Sequence, residues 1–375
     1  ITLYHLIFLV KIKFIMKVGI IGNNLSSLAL AKALVNLEIF VDIFYTNKKI
    51  DIDKTRTVGI SKTNIDYFNS NISNIDKFSW PIKKIKIYSE NSNNKEIIKF
   101  ENQSETLFSI VKNYEIFNQL NTELKNNKFF KCKNTISYKD LNNINCDLFI
   151  NCDQEHEITK KFFLRKFEKK YESTAYSTVI DHKALSPNNI ATQIFTKKGP
   201  LAFLPISKKK TSVVYSVQTN KSDDTFDVKN SIMKFNLNYQ IKKINKVSKF
   251  NLRSLNLRKY YKNKILAFGD ILHKLHPLAG QGFNMTLRDI KNLLEIVNSR
   301  IELGLPLDQS ICSEFQKKVK SNNLIFSEGI NFIYESFNFK NKIKGNFIDR
   351  SVKLIGKNKS INKYLKRIAD EGLQI

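Results

Sequence analysis

The chain has 375 residues, of which 42% are hydrophobic, and these values fit two folded domains or one large α/β domain and exclude wholesale disorder. The formal net charge of +28 would suit nucleic acid or an anionic membrane. The lysines, however, are spread through nearly every segment without an aromatic stacking platform, which argues against nucleic acid. The four cysteines lack CxxC spacing and indicate free thiols in a reducing compartment, without a metal site.

The first fifteen residues, ITLYHLIFLVKIKFI, form an apolar stretch that is too short to span a bilayer. No small-residue cleavage site follows this stretch. We expect it to be a non-structural or wrongly assigned extension, with the folded protein beginning near Met16. The sequence contains no other candidate transmembrane segment, so a cytoplasmic protein is expected, with peripheral contact to the inner face of the membrane as an option.

Residues 16–49 predict a compact β-α-β unit. VGII (18–21) is a short apolar strand, a helix with one buried face begins at Leu25, and VDIFY (41–45) alternates as a second strand. A parallel unit of this kind near the start of a chain is a frequent dinucleotide site.

The following segments alternate between sheet and helix. The sequence predicts a hairpin, a helix with Ser104 as its N-cap, a buried strand, an antiparallel sheet, a strand that ends at Asp270 and a helical basic tail. The corresponding ranges are 82–102, 104–127, 146–153, 174–219, 264–270 and 306–375.

This order predicts an α/β fold in which a dinucleotide domain, assembled from separate pieces, is interrupted by an antiparallel domain. The dinucleotide domain is assigned to 16–62, 104–165 and 258–330, and the antiparallel domain to 63–103 and 166–257. The C-terminal helical region is assigned to 331–375.

The stretch GDILHKLHPLAGQGFN (269–284) is the most informative in the chain. Asp270 follows an apolar strand, at the sheet edge where open α/β sheets bind ligands. Gly280 and Gly282 allow close approach of the backbone to a flat or anionic group. The helix that follows has an apolar stripe and begins beside Gly282, where free N–H groups favour negative charge. The stripe is formed by Phe283, Leu287, Ile290, Leu294, Val297 and Ile301. His273 and His276 fit loop packing better than a metal site.

The pattern GD-x-x-H-x-x-HPLAGQG-x-N-x-x-x-x-D resembles the second FAD motif of the para-hydroxybenzoate-hydroxylase-like flavin monooxygenases, and most of all their ubiquinone-biosynthesis hydroxylase branch. The resemblance extends over most of the chain from Met16, including A-x-Q-x-F (191–195) and GPLA-x-LP (199–205). It implies a Rossmann-like FAD-binding domain built from discontinuous segments, with an antiparallel-sheet substrate domain and a helical tail. It also implies that Asp270 binds FAD sugar hydroxyls and that the backbone of 277–282 lies along the flavin ring.

Two stretches depart from the family pattern. The G-x-G-x-x-G fingerprint is here GNNLSS (22–27), in which Asn24, which tolerates positive φ, and Ser27 replace two glycines. Tyr45 stands where an acidic ribose contact is expected. The D-G-x-x-S-x-x-R stretch begins with Asp153-Gln154 and ends in Lys160. The cofactor-binding residues expected from the resemblance are Gly22, Asn24, Ser27, Arg56, Asp270, Pro277, Ala279, Gly280, Gln281, Gly282 and Asn284.

The resemblance implies an FAD-dependent aromatic hydroxylase that uses NADH or NADPH and O2 and transfers oxygen from a C4a-hydroperoxyflavin to a polyprenylated phenol of ubiquinone biosynthesis. No catalytic side chain is assigned, because the flavin carries the oxygen. The alternative is a catalytically impaired accessory protein of a quinone-biosynthesis assembly, suggested by the altered GNNLSS stretch. A flavin reductase or halogenase of the same fold is a weaker option.

Overall fold

A computed structural model describes residues 16–46, 53–90, 96–101, 106–218, 226–275, 281–342 and 370. The expected N-terminal extension (1–15), the expected helix cap Ser104 and the basic stretch 343–369 lie outside these residues. Within them, the chain forms one six-stranded sheet, one large mostly antiparallel sheet and a small three-stranded sheet.

The six-stranded sheet carries the β-α-β unit expected near the start of the chain. Its strands are β1 (Lys17–Ile21), β2 (Phe40–Tyr45), β8 (Phe130–Asn134), β9 (Leu148–Asn151), β16 (Tyr261–Lys262) and β17 (Ile265–Ala267). They lie in the order β16-β17-β9-β1-β2-β8, and all neighbours are parallel except β16 and β17. The carboxyl ends of β1, β2, β9 and β17 therefore meet at one edge.

The large sheet contains the antiparallel strands expected between 174 and 219 and the expected hairpin. Its strands are β5 (Lys84–Ser89), β6 (Glu96–Glu101), β10 (Lys166–His182), β11 (Ile190–Thr196), β12 (Gly199–Pro205), β13 (Lys210–Gln218), β14 (Ile241–Ile244), β15 (Ser248–Leu257) and β18 (His273–Lys274). The β5–β6 hairpin joins the sheet through a parallel pairing of β5 with β11.

The small sheet corrects the helix expected over 104–127. It consists of β3 (Thr57–Ser61), β4 (Trp80–Ile82) and β7 (Phe108–Lys112), and α3 begins only at Asn113 and ends at Lys125. Ile110 and Val111 are buried, and β7 pairs with β3 and β4 on either side. β-Branched residues favour such a buried strand, and this tertiary pairing overrides the helical spacing.

The other helices cover the six-stranded sheet or flank the large sheet. They are α1 (Leu25–Asn36), α2 (Lys62–Asn71), α4 (Glu157–Phe162), α5 (Val228–Phe235), α6 (Gly282–Glu302) and α7 (Gln309–Lys342). The main core lies between the six-stranded sheet and α1, α3, α6 and the start of α7. The expected stripe of α6 is buried except for Ile301, which is 38% exposed, because it lies in the last turn of the helix.

Helix α2 packs against α6, so the expected domain boundary at 62/63 falls at the start of a helix that contacts the layer covering the six-stranded sheet. The rings of Phe68 and Phe283 lie 6.4 Å apart. At the amino end of α2, the carboxylate of Asp370 accepts hydrogen bonds from Thr63 N and Oγ1 at 3.0 and 2.8 Å. Asp370 thus caps α2. Among the described residues, no helix has the length and apolar character needed to cross a membrane.

Candidate cofactor site

The turn after β1 lies between two neighbouring strands. Gly22 has φ +108°, and its N–H donates to Phe44 O of β2 at 2.8 Å. A Cβ at this position would lie 3.1 Å from Cβ of Asp153, just beyond β9. The first glycine of the expected fingerprint is therefore required by both its backbone conformation and its close packing.

Asn24 and Ser27, which replace the other two fingerprint glycines, form a capping box at the start of α1. Asn24 Oδ1 accepts from Ser27 N at 3.0 Å, and Ser27 Oγ accepts from Asn24 N at 2.8 Å. Asn24 has φ −131°, so it does not use the positive φ that we expected of it. The box stabilises the amino end of α1. It does not engage the N–H groups of Leu25 and Ser26, which helix geometry directs outward from the end of the helix.

The Gly269-Asp270 turn packs directly on this helix end. Gly269 has φ +63°, and a Cβ there would lie 2.8 Å from Cβ of Ser26. Asp270 follows β17, and its side chain is 62% exposed. Two motifs that are remote in sequence thus meet at the carboxyl edge of the six-stranded sheet.

Gln154 fills part of the space beside Asp270. Its Nε2 donates to the backbone carbonyl of Asp270 at 2.7 Å, and its Oε1 accepts from Arg253 Nη2 at 2.9 Å. Gln154 replaces the glycine of the family pattern and ties the Asp270 turn to strand β15. Lys160, at the end of the same pattern, forms an exposed ion pair with Glu155 at 3.3 Å and does not join Asp270.

Alternation along β15 and β18 places two cations on one face of the large sheet. Leu255 pairs with Lys274 in the antiparallel register, so Arg253, two residues before Leu255, lies on the same face as Lys274. Burial lowers the pKa of Lys274, and the charges of Arg253 and Arg56 lower it further, whereas Asp270 raises it. The guanidinium of Arg56 lies over the Phe250 ring at 4.9 Å.

The amino end of α6 carries the last part of the candidate site. The Oε1 of Gln281 is buried and has no hydrogen-bond partner among the described residues. A Cβ at Gly282 would have no atom of the described residues within 4 Å, which leaves room for a ligand beside the backbone. Pro277, Ala279 and Gly280, together with His276, lie outside the described residues.

The side chain of Asn284 is fully engaged by the protein. Its Oδ1 accepts from Ser61 N at 2.9 Å and from Asn64 Nδ2 at 3.0 Å, and its Nδ2 donates to Gly59 O at 2.8 Å. It joins α6 to β3 and α2 and is 1% exposed. Any contact of Asn284 with a cofactor would therefore come from its main chain.

A buried polar cluster joins β18 to α6, the strand and the helix that come before and after residues 276–280. His273 Nε2 lies 2.5 Å from Asp289 Oδ2, and Asp289 Oδ1 accepts from Asn323 Nδ2 at 3.0 Å. On the same face, Ser327 of α7 donates to Asn256 at 2.9 Å. His273 thus has a structural partner. Among the described residues no group of three or more His, Cys, Asp or Glu side chains could hold a metal ion.

These residues fit the chemistry of FAD. The free N–H groups at α1 and the positive end of its dipole suit a diphosphate. The carboxylate of Asp270 suits sugar hydroxyls, and Gln281 beside the open Gly282 suits a polar ring edge. Two buried side-chain oxygens at this edge, those of Asn23 and Gln281, have no partner among the described residues, which is the condition expected of ligand contacts.

Comparison with known proteins agrees with this geometry. Residues 119–301 match the family model described as an FAD binding domain. The ubiquinone biosynthesis monooxygenase COQ6 of Drosophila melanogaster is 20% identical over 313 residues, 68% of this chain and 66% of that protein. The 3-demethoxyubiquinol 3-hydroxylase of Escherichia coli is 26% identical over 160 residues, 40% of each chain.

The chain is therefore similar to FAD-dependent monooxygenases, and the family model covers slightly less than half of it. The matched regions span less than two thirds of these relatives. In fold, the chain is similar to p-nitrophenol 4-monooxygenase from Pseudomonas putida, with a TM-score of 0.75, 12% identity and coverage of 96% of this chain and 99% of that one. The FAD complex of an HpxO variant from Klebsiella pneumoniae gives a TM-score of 0.73, with 12% identity and coverage of 95% and 99%. FAD binding is the property that the matched family model describes.

Sequence reasoning did not assign Asn23, Arg253 or Lys274 to the site. Strand β15, which carries Arg253, was not expected from the sequence. The signal that could have located Arg253 is the alternation in SKFNLRSLNL (248–257), which points every second side chain to the same face.

Proposed function

We propose that the protein is an FAD-dependent hydroxylase of an electron-rich aromatic ring. The observation that carries this proposal is the contact of the Gly269-Asp270 turn with Ser26 at the start of α1. This contact joins a diphosphate-binding helix end to a carboxylate suited to sugar hydroxyls, which is the arrangement that a dinucleotide needs. The match of residues 119–301 to an FAD binding domain model supports FAD as that dinucleotide.

FAD, once bound and reduced by NADH or NADPH, would supply the electrons that activate O2. The N–H groups of Leu25 and Ser26 would hold its diphosphate, and Asp270 would orient its sugar. The amino end of α6 would offer the positive end of a helix dipole to negative charge on the flavin ring. The protein contributes binding, orientation and exclusion of water, and no side chain is assigned as an oxygen donor.

The proposed substrate is a polyprenylated phenol of ubiquinone biosynthesis. The names of the relatives in Drosophila and Escherichia coli support this class, and the ring position is left open. Such a substrate partitions into lipid, so we propose peripheral contact with a membrane as well. The net charge of +28 would favour an anionic bilayer.

The test is a turnover assay on the purified protein reconstituted with FAD. Oxidation of NADH or NADPH that is stimulated by a prenylated phenol, with incorporation of oxygen from O2 into the ring, is the expected result. The accessory-protein alternative predicts bound FAD without turnover. If the unaltered protein and Asp270→Ala oxidise the nicotinamide equally and neither forms a hydroxylated product, the proposal is wrong.

A further inference from the structure

The usual ribose contact of a dinucleotide-binding unit is absent from strand β2. In such units an acidic residue near the end of the second strand accepts a hydrogen bond from a ribose hydroxyl. Here β2 ends at the half-buried Tyr45, and burial raises the pKa of its phenol. A neutral phenol is a weaker hydrogen-bond acceptor than a carboxylate, so a second acceptor at this edge would strengthen the binding of a ribose.

Asn23 lies beside that position and is fixed on both sides. The preceding residue, Gly22, is hydrogen-bonded to Phe44 O of β2 at 2.8 Å. The following residue, Asn24, donates from Nδ2 to Cys152 O beyond β9, also at 2.8 Å. In the β1–β2 register, Ile21 is opposite Phe44, so the turn at Asn23 projects from the edge where β2 ends.

The side-chain oxygen of Asn23 is an acceptor that receives no hydrogen bond from the part of the chain that the structure describes. Oδ1 is buried and has no hydrogen-bond partner among the described residues. Buried polar atoms are nearly always paired, and leaving one unpaired is unfavourable. A diphosphate offers no donor at neutral pH, whereas a ribose offers two hydroxyl groups. The N–H groups of Leu25 and Ser26, which follow in the first turn of α1, are donors that suit the diphosphate instead.

We infer that the side-chain carbonyl oxygen of Asn23 accepts a hydrogen bond from the adenosine ribose of FAD, in place of the missing acidic residue of β2. The inference rests on the proposed function, because it takes FAD as the ligand. If the inference is correct, the altered GNNLSS stretch supplies the ribose contact that β2 lacks. The adenosine diphosphate half is common to FAD and NADH. The experiment must therefore show which of these two cofactors Asn23 contacts.

The test measures dissociation constants of the flavin-free protein for FAD, FMN and NADH by fluorescence, in the unaltered chain and in Asn23→Leu. Loss of one neutral hydrogen bond should weaken FAD binding about two- to tenfold. FMN binding should not change, because FMN lacks adenosine. Asn145→Leu is the matched control, since Asn145 is exposed at the opposite edge of the same sheet and should leave all three constants unchanged.

Thermal unfolding of the flavin-free variants separates binding from folding. Asn23→Leu should not lower the melting temperature, because it replaces an unpaired buried oxygen with an apolar group. Asn23→Ala removes the same acceptor without added bulk and should reproduce the FAD effect if the leucine variant folds poorly.

Three results would overturn the inference while the proposed function stands. They are an unchanged affinity for FAD in both Asn23 variants, equal losses of affinity for FAD and FMN, and a loss of affinity for NADH alone. Failure of the unaltered protein to bind FAD would instead contradict the proposed function and, with it, this inference.

Discussion

His273 and Asp289 form a hydrogen bond of 2.5 Å between two side chains that are each 1% exposed. His273 lies on β18 and Asp289 on α6, so the two elements come before and after residues 276–280 in the sequence. The bond therefore ties the large sheet to the helix whose amino end forms part of the candidate site. Asn323 extends the connection to α7 at 3.0 Å.

Removing Asp289 should cost far more stability than its position on a helix suggests. Asp289→Ala leaves His273 and Asn323 without their shared acceptor in a buried site, and each polar group left unpaired in this way costs about 1–3 kcal/mol. Urea unfolding of the flavin-free protein measures this cost. Lys291→Ala, at an exposed position of the same helix, should change the free energy of unfolding by less than about 0.5 kcal/mol. Similar values for the two variants would show that the cluster is not a structural tie.

Gly269 should be intolerant of a side chain for two separable reasons. It has φ +63°, and a Cβ would lie 2.8 Å from Ser26. Gly304 has φ +66°, and a Cβ there would meet no atom of the described part of the chain within 4 Å. Gly304→Ala therefore measures the conformational cost alone, about 1–2 kcal/mol. Gly269→Ala should cost more in the unfolding free energy and should also weaken FAD binding. Equal costs and unchanged FAD affinity would contradict the contact described for this turn.

Restoring a glycine to the fingerprint should not improve the site. Asn24→Gly removes the cap on Ser27 and the hydrogen bond to Cys152 O, so the unfolding free energy should fall by about 1 kcal/mol. FAD affinity, measured by fluorescence titration, should stay the same or decrease. Tighter FAD binding in Asn24→Gly would show that the substitution of the glycine had damaged the site and that the capping box does not replace it.

The sequence was sufficient for the parts of the fold that local pattern determines. The β-α-β unit, the β5–β6 hairpin and the strand before Asp270 follow from apolar periodicity and turn residues. The expected helix over 104–127 was wrong in its first part, because Ile110 and Val111 are placed in a strand by pairing with β3 and β4. Such pairing partners are remote in sequence and have no local signal.

Residues of the candidate site could be predicted from the sequence only where they belong to a recognisable motif. Asp270 and the glycine turn at Gly22 could be assigned from spacing, and the structure brings them to one edge of the sheet. Asn23 and Lys274 could not, because their significance depends on an unpaired oxygen and on which strand is the neighbour. The side chain of Asn284 binds Gly59, Ser61 and Asn64, and a contact of its main chain with FAD stays a prediction.

Thiol reactivity should distinguish one cysteine from the other three. Cys132 is exposed, whereas Cys146, Cys152 and Cys312 are buried. Burial raises the pKa of Cys146 to about 11 and that of Cys312 to about 12, so little thiolate forms at neutral pH. A chromogenic disulfide reagent at about neutral pH should therefore titrate one thiol rapidly, and Cys132→Ser should abolish that phase. Rapid reaction of a second thiol in the native protein would contradict the packing around the six-stranded sheet.

The most direct test of the central claim is a titration of the purified flavin-free protein with FAD, followed by visible absorption, for the unaltered chain and for Asp270→Ala. The account predicts saturable binding of one FAD per chain. Because hydrogen bonds to a carboxylate are lost, Asp270→Ala should bind about ten- to a hundredfold more weakly. If the unaltered protein shows no saturable flavin spectrum, or if Asp270→Ala binds FAD equally well, the cofactor site is not where residues 22–27 and 269–282 place it.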